Sequence, residues 1–146
     1  MSRNSLLHVF VLSVLFISST FIAMGKNPVL KNSKWKAVQE EFVADAGTMT
    51  ITYTLEFLSG KEVRVHEESY LPAHAAMYMN PDGTVDRMPA RSSENTETGT
   101  YTFRRGVLTI TTEDGHQTEY QYEADGGFFS RKLPWGVTLA FFRDQE

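Results

Sequence analysis

The chain has 146 residues, a formal net charge of -4 and no cysteine. This length fits one domain, and the acidic balance offers no basic surface for nucleic acid. The lack of cysteine excludes disulfides, thiolate metal sites, cysteine nucleophiles and lipid-modified cysteines.

The chain starts with one positive charge followed by an apolar run. Arg3 precedes mostly apolar residues from Leu6 to Met24, and Ala23-Met24-Gly25 has small residues at the two positions that a signal peptidase recognises. This layout predicts a cleaved signal peptide over residues 1–25 and an exported protein with no membrane span after cleavage. An uncleaved anchor is the alternative, since a span needs about 20 apolar residues. Serine and threonine residues within the run favour cleavage.

The residues after the predicted cleavage point form a short lead-in before the folded domain. Residues 26–34 contain Pro28 and Asn32 and are expected to be extended, and a single domain over residues 35–146 follows. The first candidate strand runs from Trp35 to Val43. Asp45-Ala46-Gly47 then predicts a turn.

The clearest strand runs from Thr48 to Phe57. Its apolar residues alternate strictly with threonine and glutamate, so one face is buried and the other is in water. The β-branched and aromatic residues fit such a half-buried surface. Ser59-Gly60-Lys61 then predicts a tight hairpin into a strand that carries Val63 and Val65.

The alternation fails between Tyr70 and Thr98. Three prolines in this segment are too many for a central strand, although Asn80-Pro81-Asp82-Gly83 predicts a turn that could join a short hairpin. The polar stretch from Arg91 to Thr98 is expected to be irregular and mobile. Segments of this length and irregularity in small domains are often functional or disordered.

Short strands separated by glycine-containing turns return at Gly99 and continue to Phe141. Because such short turns force each strand to run antiparallel to its predecessor, up to nine strands form an up-and-down meander. Closing the meander into a barrel of about eight strands removes open edges. An open sandwich is the alternative, but it needs longer crossover connections. The predicted fold class is therefore all-β, an antiparallel meander closed into a barrel.

Two hairpins and one tryptophan carry a family resemblance. The stretches Gly-Thr-Tyr-Thr-Phe (99–103) and Val-Leu-Thr-Ile-Thr-Thr-Glu-Asp-Gly (107–115) look like hairpins of the small lipocalin-like, calycin-type proteins of Gram-negative bacterial envelopes. Lipocalins carry Gly-x-Trp on their first strand, and the matching stretch here is Ser33-Lys34-Trp35. The resemblance covers roughly residues 32–143. It implies a lipocalin-like barrel that binds small apolar molecules, with Arg143 as the basic residue that covers the ring of Trp35.

Candidate catalytic and metal-binding residues are scattered along the chain. The histidines of the mature chain lack partners at metal-ligand spacing. Glu119 and Glu123 would share the wet face of one strand instead of flanking a glycosidic bond. The serines lack the strand-to-helix turn of a nucleophile elbow. We therefore expect no enzyme, no metal and no cofactor.

Aromatic residues on the inward faces form the candidate binding site. They could pack into a core or line a cavity that holds one small ligand. The tyrosines favour the cavity, because a buried hydroxyl needs a partner. Methionines of the irregular segment could form a lid over an apolar opening or a plug that caps the barrel. The predicted ligand-binding residues are Tyr53, Phe57, Met77, Met79, Tyr101, Phe103, Tyr120 and Tyr122.

The expected function is non-enzymatic binding of a small hydrophobic or aromatic molecule by a barrel exported to the periplasm or the cell exterior. The alternative is a protein-binding envelope module, such as a protease-inhibitor-like barrel or a subunit of a surface assembly, whose interior is filled. An open apolar pocket would favour the ligand, whereas a filled interior with an exposed apolar patch would favour a protein partner.

Overall fold

A computed structural model of the protein describes residues 26–145, and the predicted signal peptide lies outside this range. The described residues are strands and turns, with no helix long and apolar enough to cross a membrane. The all-β prediction is confirmed. The strands are β1 (Ser33–Val43), β2 (Gly47–Phe57), β3 (Glu62–Leu71), β4 (His74–Met79), β5 (Val85–Met88), β6 (Arg91–Arg104), β7 (Val107–Thr112), β8 (Gln117–Glu123), β9 (Phe128–Lys132) and β10 (Thr138–Arg143).

Eight strands close into an antiparallel barrel, as predicted. Going around the barrel, the order is β1, β2, β3, β6, β7, β8, β9 and β10, and β10 pairs back onto β1. The only departure from a simple meander within the described chain is that β4 and β5 form a separate two-stranded sheet between β3 and β6. The barrel is therefore an up-and-down meander with one hairpin inserted.

Apolar side chains fill one end of the barrel, which we call the closed end. The turns between β2 and β3, β6 and β7, and β8 and β9 lie at this end. The ring of Trp35 packs edge-on against Phe129 at 4.9 Å between centroids, and Phe57 packs similarly against Tyr101 at 4.8 Å. Leu30 of the predicted lead-in is also buried in this core. Edge-to-face ring pairs add to the stabilisation that burial provides.

The strands differ in length, and this difference leaves the other end of the barrel open. β1 and β2 have 11 residues, β3 has 10 and β6 has 14, whereas β7 to β10 have between 5 and 7. β6 pairs with β7 only from Gly99 onward. The ladder between β1 and β10 has two rungs, Trp35 with Arg143 and Lys36 with Phe142. The long strands therefore project past the short ones at this open end, where the β4–β5 hairpin also lies.

The prediction that Arg91 to Thr98 is irregular is wrong. These residues form the first part of β6 and pair with β3 from Arg64 to Leu71. Every residue of the segment is exposed, so no apolar alternation marks it as a strand. Its structure comes from the backbone ladder and from cross-strand side-chain bonds, such as the one between Ser69 and Ser93 at 2.8 Å.

The hydroxyl of Ser33, two residues before Trp35 on β1, is buried beside the indole. It donates a hydrogen bond to the Leu30 carbonyl and accepts one from Nε1 of Trp35 at 2.9 Å. Arg143 is the cross-strand neighbour of Trp35, but it is exposed. The cation–π contact found within residues 26–145 is instead that of Arg131 over Tyr120. The indole is thus held by Ser33 and by its contact with the Phe129 ring.

Candidate functional site

A cavity of about 140 Å³ opens inside the barrel at the open end. Its floor is formed by apolar side chains that are themselves fully buried, among them Leu55, Ile110 and Phe141. Polar side chains surround its mouth. The full lining consists of Tyr53, Leu55, Val65, Glu67, Asn95, Glu97, Ile110, Thr112, His116, Thr118, Tyr120, Arg131 and Phe141.

The alternation of side chains along each strand explains why polar groups point into the barrel near its open end. Successive side chains of a strand point to opposite faces, so residues two apart share a face. Ala37, Tyr53, Glu67 and Asn95 are direct cross-strand neighbours on β1, β2, β3 and β6. They form one inward row across the four long strands. The interior thus changes from apolar at the closed end to polar at the mouth.

Arg131 supplies the positive charge of the cavity. It lies on β9 two residues after the buried Phe129, is half-buried, and places its guanidinium carbon 5.6 Å from the centre of the Tyr120 ring. A cation over a tyrosine face is stabilised by about 0.5–2 kcal/mol, depending on its exposure to water. The ring therefore holds the guanidinium in place beside the cavity.

Two tyrosine hydroxyls face the cavity in their neutral form. Burial raises the pKa of Tyr53, and the nearby charge of Glu67 raises it further, while Arg131 opposes both effects. Burial also raises the pKa of Tyr120, again against the influence of Arg131. Because both pKa values lie above the ordinary tyrosine value of about 10, the hydroxyls keep their protons at neutral pH. The Tyr53 hydroxyl already donates to Oε1 of Gln39 at 3.5 Å, which leaves Tyr120 as the hydroxyl that can donate to a ligand.

Two of the predicted ligand-binding residues line this cavity, namely Tyr53 and Tyr120. The other aromatic residues of the prediction pack into the core toward the closed end. Tyr101 also donates its hydroxyl to the Ser59 carbonyl at 2.9 Å, which satisfies its polar group without a ligand. The packed residues are Phe57, Tyr101, Phe103 and Tyr122.

The two predicted methionines lie in β4, on the hairpin that forms its own small sheet. Met79 is 67% exposed and does not line the cavity, and Met77 belongs to the same strand. Most described residues of β4 and β5 are exposed. The hairpin thus lies at the open end without packing down as a lid.

The polar half of the lining was not among the predicted residues. Glu67 lies two residues after the inward Val65, and Arg131 lies two residues after the inward Phe129, so each points to the inside of the barrel. Following every second residue of each strand past its last inward apolar residue would have identified both charged side chains. Asn95 and Glu97 share the inward side of β6 with Tyr101 and Phe103, but the stretch around them contains no apolar residue that marks it as a strand.

A wider groove of about 640 Å³ lies on the outside of the closed end. Several of its charged groups are already paired. Lys34 Nζ lies 3.9 Å from a carboxylate oxygen of Glu56, and Glu56 also accepts a 2.9 Å hydrogen bond from Arg64. The groove therefore offers a ligand fewer unsatisfied groups than the barrel mouth does.

The histidines and acids of residues 26–145 include no group of three placed to hold a metal ion. No protein family, no curated protein and no solved structure matches this chain. A function for this chain therefore has to be inferred from the barrel and from the cavity at its open end.

Proposed function

We propose that the protein is a non-enzymatic barrel that binds one small molecule at its open end, in the bacterial envelope. The observation that carries this proposal is the cavity of about 140 Å³, with an apolar floor and hydrogen-bonding groups at its mouth. The ligand would have a small apolar or aromatic body and a polar edge. The resemblance to lipocalin-like envelope proteins supports both the binding role and the location.

The volume of the cavity limits the size of the ligand. Typical ligand pockets enclose about 300–1,000 Å³, so this one suits a molecule of roughly ten non-hydrogen atoms. At about 0.5 kcal/mol per atom, the binding free energy would be about -5 kcal/mol, which corresponds to a Kd somewhat below 1 mM. The assay must therefore detect weak binding.

Binding without chemistry is supported by the state of the tyrosine hydroxyls at the cavity. The pKa values of Tyr53 and Tyr120 are raised, so neither hydroxyl serves as a base or nucleophile at neutral pH. The Tyr120 hydroxyl can donate a hydrogen bond to a ligand, and the Tyr53 hydroxyl, which donates to Gln39, can accept one. Orienting a ligand is the role we assign to them.

The test is a chemical-shift titration with small neutral aromatic compounds such as phenol, benzyl alcohol and indole. We expect saturable shifts of backbone amides around the cavity. Thr118→Phe would fill the cavity from its wall and abolish the shifts. Thr102→Phe, on an exposed outward position of the neighbouring part of β6, is the matched control and should leave them unchanged. Equal responses of the two variants would refute the proposal, and so would the lack of saturation by any small ligand, neutral or charged, in the unaltered chain.

A second function, binding of an envelope protein, is favoured by the outer face of β1 and β10. Val38, Phe42 and Phe142 are 62%, 78% and 55% exposed, and the edge of β1 beyond Lys36 is not paired with β10. Exposed apolar groups beside a free strand edge suit strand addition by a partner. A photo-crosslinking residue at position 42 should yield a defined product in the envelope, and the same residue at position 102 should not. No product at position 42 would argue against this function.

A further inference from the structure

Opposite charges face each other across the mouth of the barrel without touching. Arg131 lies on β9 and Glu67 on β3, and these strands are four places apart in either direction around the closed barrel. They therefore stand on opposite walls. Among residues 26–145, no carboxylate oxygen lies within 4.0 Å of the guanidinium of Arg131. The cavity occupies the space between the two walls.

The negative wall has two carboxylates on neighbouring strands. Glu67 lies beside Asn95 in the β3–β6 ladder, and Glu97 lies beside Val65, one inward position closer to the closed end. Asn95 donates a hydrogen bond to Glu97 at 3.3 Å, while Arg131 is held over the Tyr120 ring on the other side. Each wall thus keeps its charge in place through its own local contacts.

We propose that the mouth binds a small zwitterion, with its carboxylate on Arg131, its protonated amine at Glu67 and Glu97, and a short apolar spacer over the cavity floor. This inference rests on the proposed function, because it names the class of ligand for the same site. A guanidinium binds a carboxylate through two parallel hydrogen bonds. The carboxylates opposite can accept hydrogen bonds from an ammonium group, which donates three.

A ligand with only one charge fits this arrangement less well. A simple carboxylate would pair with Arg131 but would approach the two acids, and a simple amine would pair with the acids but would approach Arg131. Like charges brought together weaken binding, whereas complementary charges on both sides of a ligand favour it. Because Glu67 and Glu97 are exposed at the rim, water screens them, and the preference for a zwitterion should be about five- to tenfold.

The experiment titrates the unaltered chain with linear amino acids of increasing length: glycine, 3-aminopropanoate, 4-aminobutanoate and 6-aminohexanoate. Butanoate and butylamine are the single-charge analogues of the third compound. We expect saturable amide shifts, one preferred length, and binding of the preferred zwitterion about five- to tenfold tighter than that of its single-charge analogues. The preferred length would measure the distance between the two charged walls.

Variants with matched controls test the roles of the charges on Arg131 and Glu67. Arg131→Gln should remove the preference for the zwitterion, and Glu67→Gln should lower it, because Glu97 remains. Arg104→Gln and Glu68→Gln remove the same charges from exposed outward positions and should preserve it. Urea unfolding of each variant verifies that it is folded, and the comparison of ligands in the unaltered chain does not depend on any variant.

Each outcome of the titrations bears on the inference. Butanoate binding as tightly as 4-aminobutanoate would show a site for anions alone and overturn the inference. Saturation by neutral aromatics but by no zwitterion would also overturn it, while the proposed function would stand. Saturation by neither series would refute both. A zwitterion preference that Arg131→Gln removes, Glu67→Gln lowers and both controls retain would support the inference.

Discussion

Replacing Ser33 with alanine tests how the barrel accommodates its first-strand tryptophan. The indole N–H of Trp35 donates to the Ser33 hydroxyl at 2.9 Å, and that hydroxyl donates to the Leu30 carbonyl. Ser33 is 6% exposed and Trp35 is 2% exposed, so water cannot replace the lost partner. The substitution would leave the buried indole N–H without an acceptor, whereas the Leu30 carbonyl keeps the hydrogen bond that it accepts from the Ser33 backbone N–H at 3.0 Å.

The expected cost follows from the loss of the acceptor for this one N–H. A buried polar group left unsatisfied costs about 1–3 kcal/mol. We therefore expect Ser33→Ala to lower the free energy of unfolding by about 2 kcal/mol, a large share of the 5–15 kcal/mol typical of a domain. With a denaturant slope of about 2 kcal/mol per molar, the urea midpoint would fall by about 1 M.

Urea unfolding followed by far-UV circular dichroism measures this change. Ser93→Ala is the matched control, because it removes the same atoms from an exposed serine that bonds Ser69, and it should shift the free energy by less than about 0.5 kcal/mol. The same Ser33→Ala change made in a Trp35→Phe background should cost less, since phenylalanine has no N–H to leave unpaired. Equal costs for Ser33→Ala and Ser93→Ala, or an unchanged cost in the Trp35→Phe background, would refute this reasoning.

Three further predictions concern the packing and titration of the barrel. Trp35→Ala should lower the free energy of unfolding by about 3–5 kcal/mol, because it leaves a cavity at a buried site. Trp135→Ala, at a ring that is 65% exposed, should lower it by less than about 0.5 kcal/mol. Urea unfolding of the two variants measures the difference. Gly99→Ala should cost about 1–3 kcal/mol of stability, because a Cβ there would lie 2.3 Å from a backbone carbonyl oxygen of β7. Gly60→Ala is the control, since a Cβ at position 60 would have no heavy atom within 4 Å. Equal urea midpoints for the two variants would contradict the clash. Stability should fall as the pH rises above about 10, because the folded state, with the raised pKa of Tyr120, holds a proton that the unfolded chain loses. In Tyr120→Phe, the urea midpoint should decrease less between about pH 8 and pH 11 than in the unaltered chain. An equal decrease in both proteins would contradict this prediction.

The barrel could be predicted because most of its strands bury one face and join through short turns. In β2 the alternation from Met49 to Phe57 revealed both the strand and its inward side. The first part of β6 could not be found in this way. Arg91 to Thr98 are exposed on both faces, and only their pairing with β3 makes them a strand, which is a contact between distant parts of the chain.

The candidate site was predictable only where aromatic residues mark it. Tyr53 and Tyr120 stand within alternating strands, and both line the cavity. The remaining predicted aromatics fill the closed end, because alternation identifies the inward face but not the height along the barrel. That height depends on the register between strands. Arg131 was missed because a charge at the end of a short strand is usually a solvated residue.

The short ladder between β1 and β10 has a consequence for how the chain folds. Its rungs join Trp35 to Arg143, and closing a loop of about 110 residues costs roughly 4 kcal/mol of chain entropy. Most neighbouring strands are joined by a few residues, and β3 and β6 are joined through the β4–β5 hairpin, so we expect these pairings to form before the seam does. Until the seam closes, the edges of β1 and β10 are exposed beside Phe42 and Phe142, which remain exposed in the closed barrel. The passage from an open sheet to a closed ring is therefore the step in which folding competes most directly with aggregation.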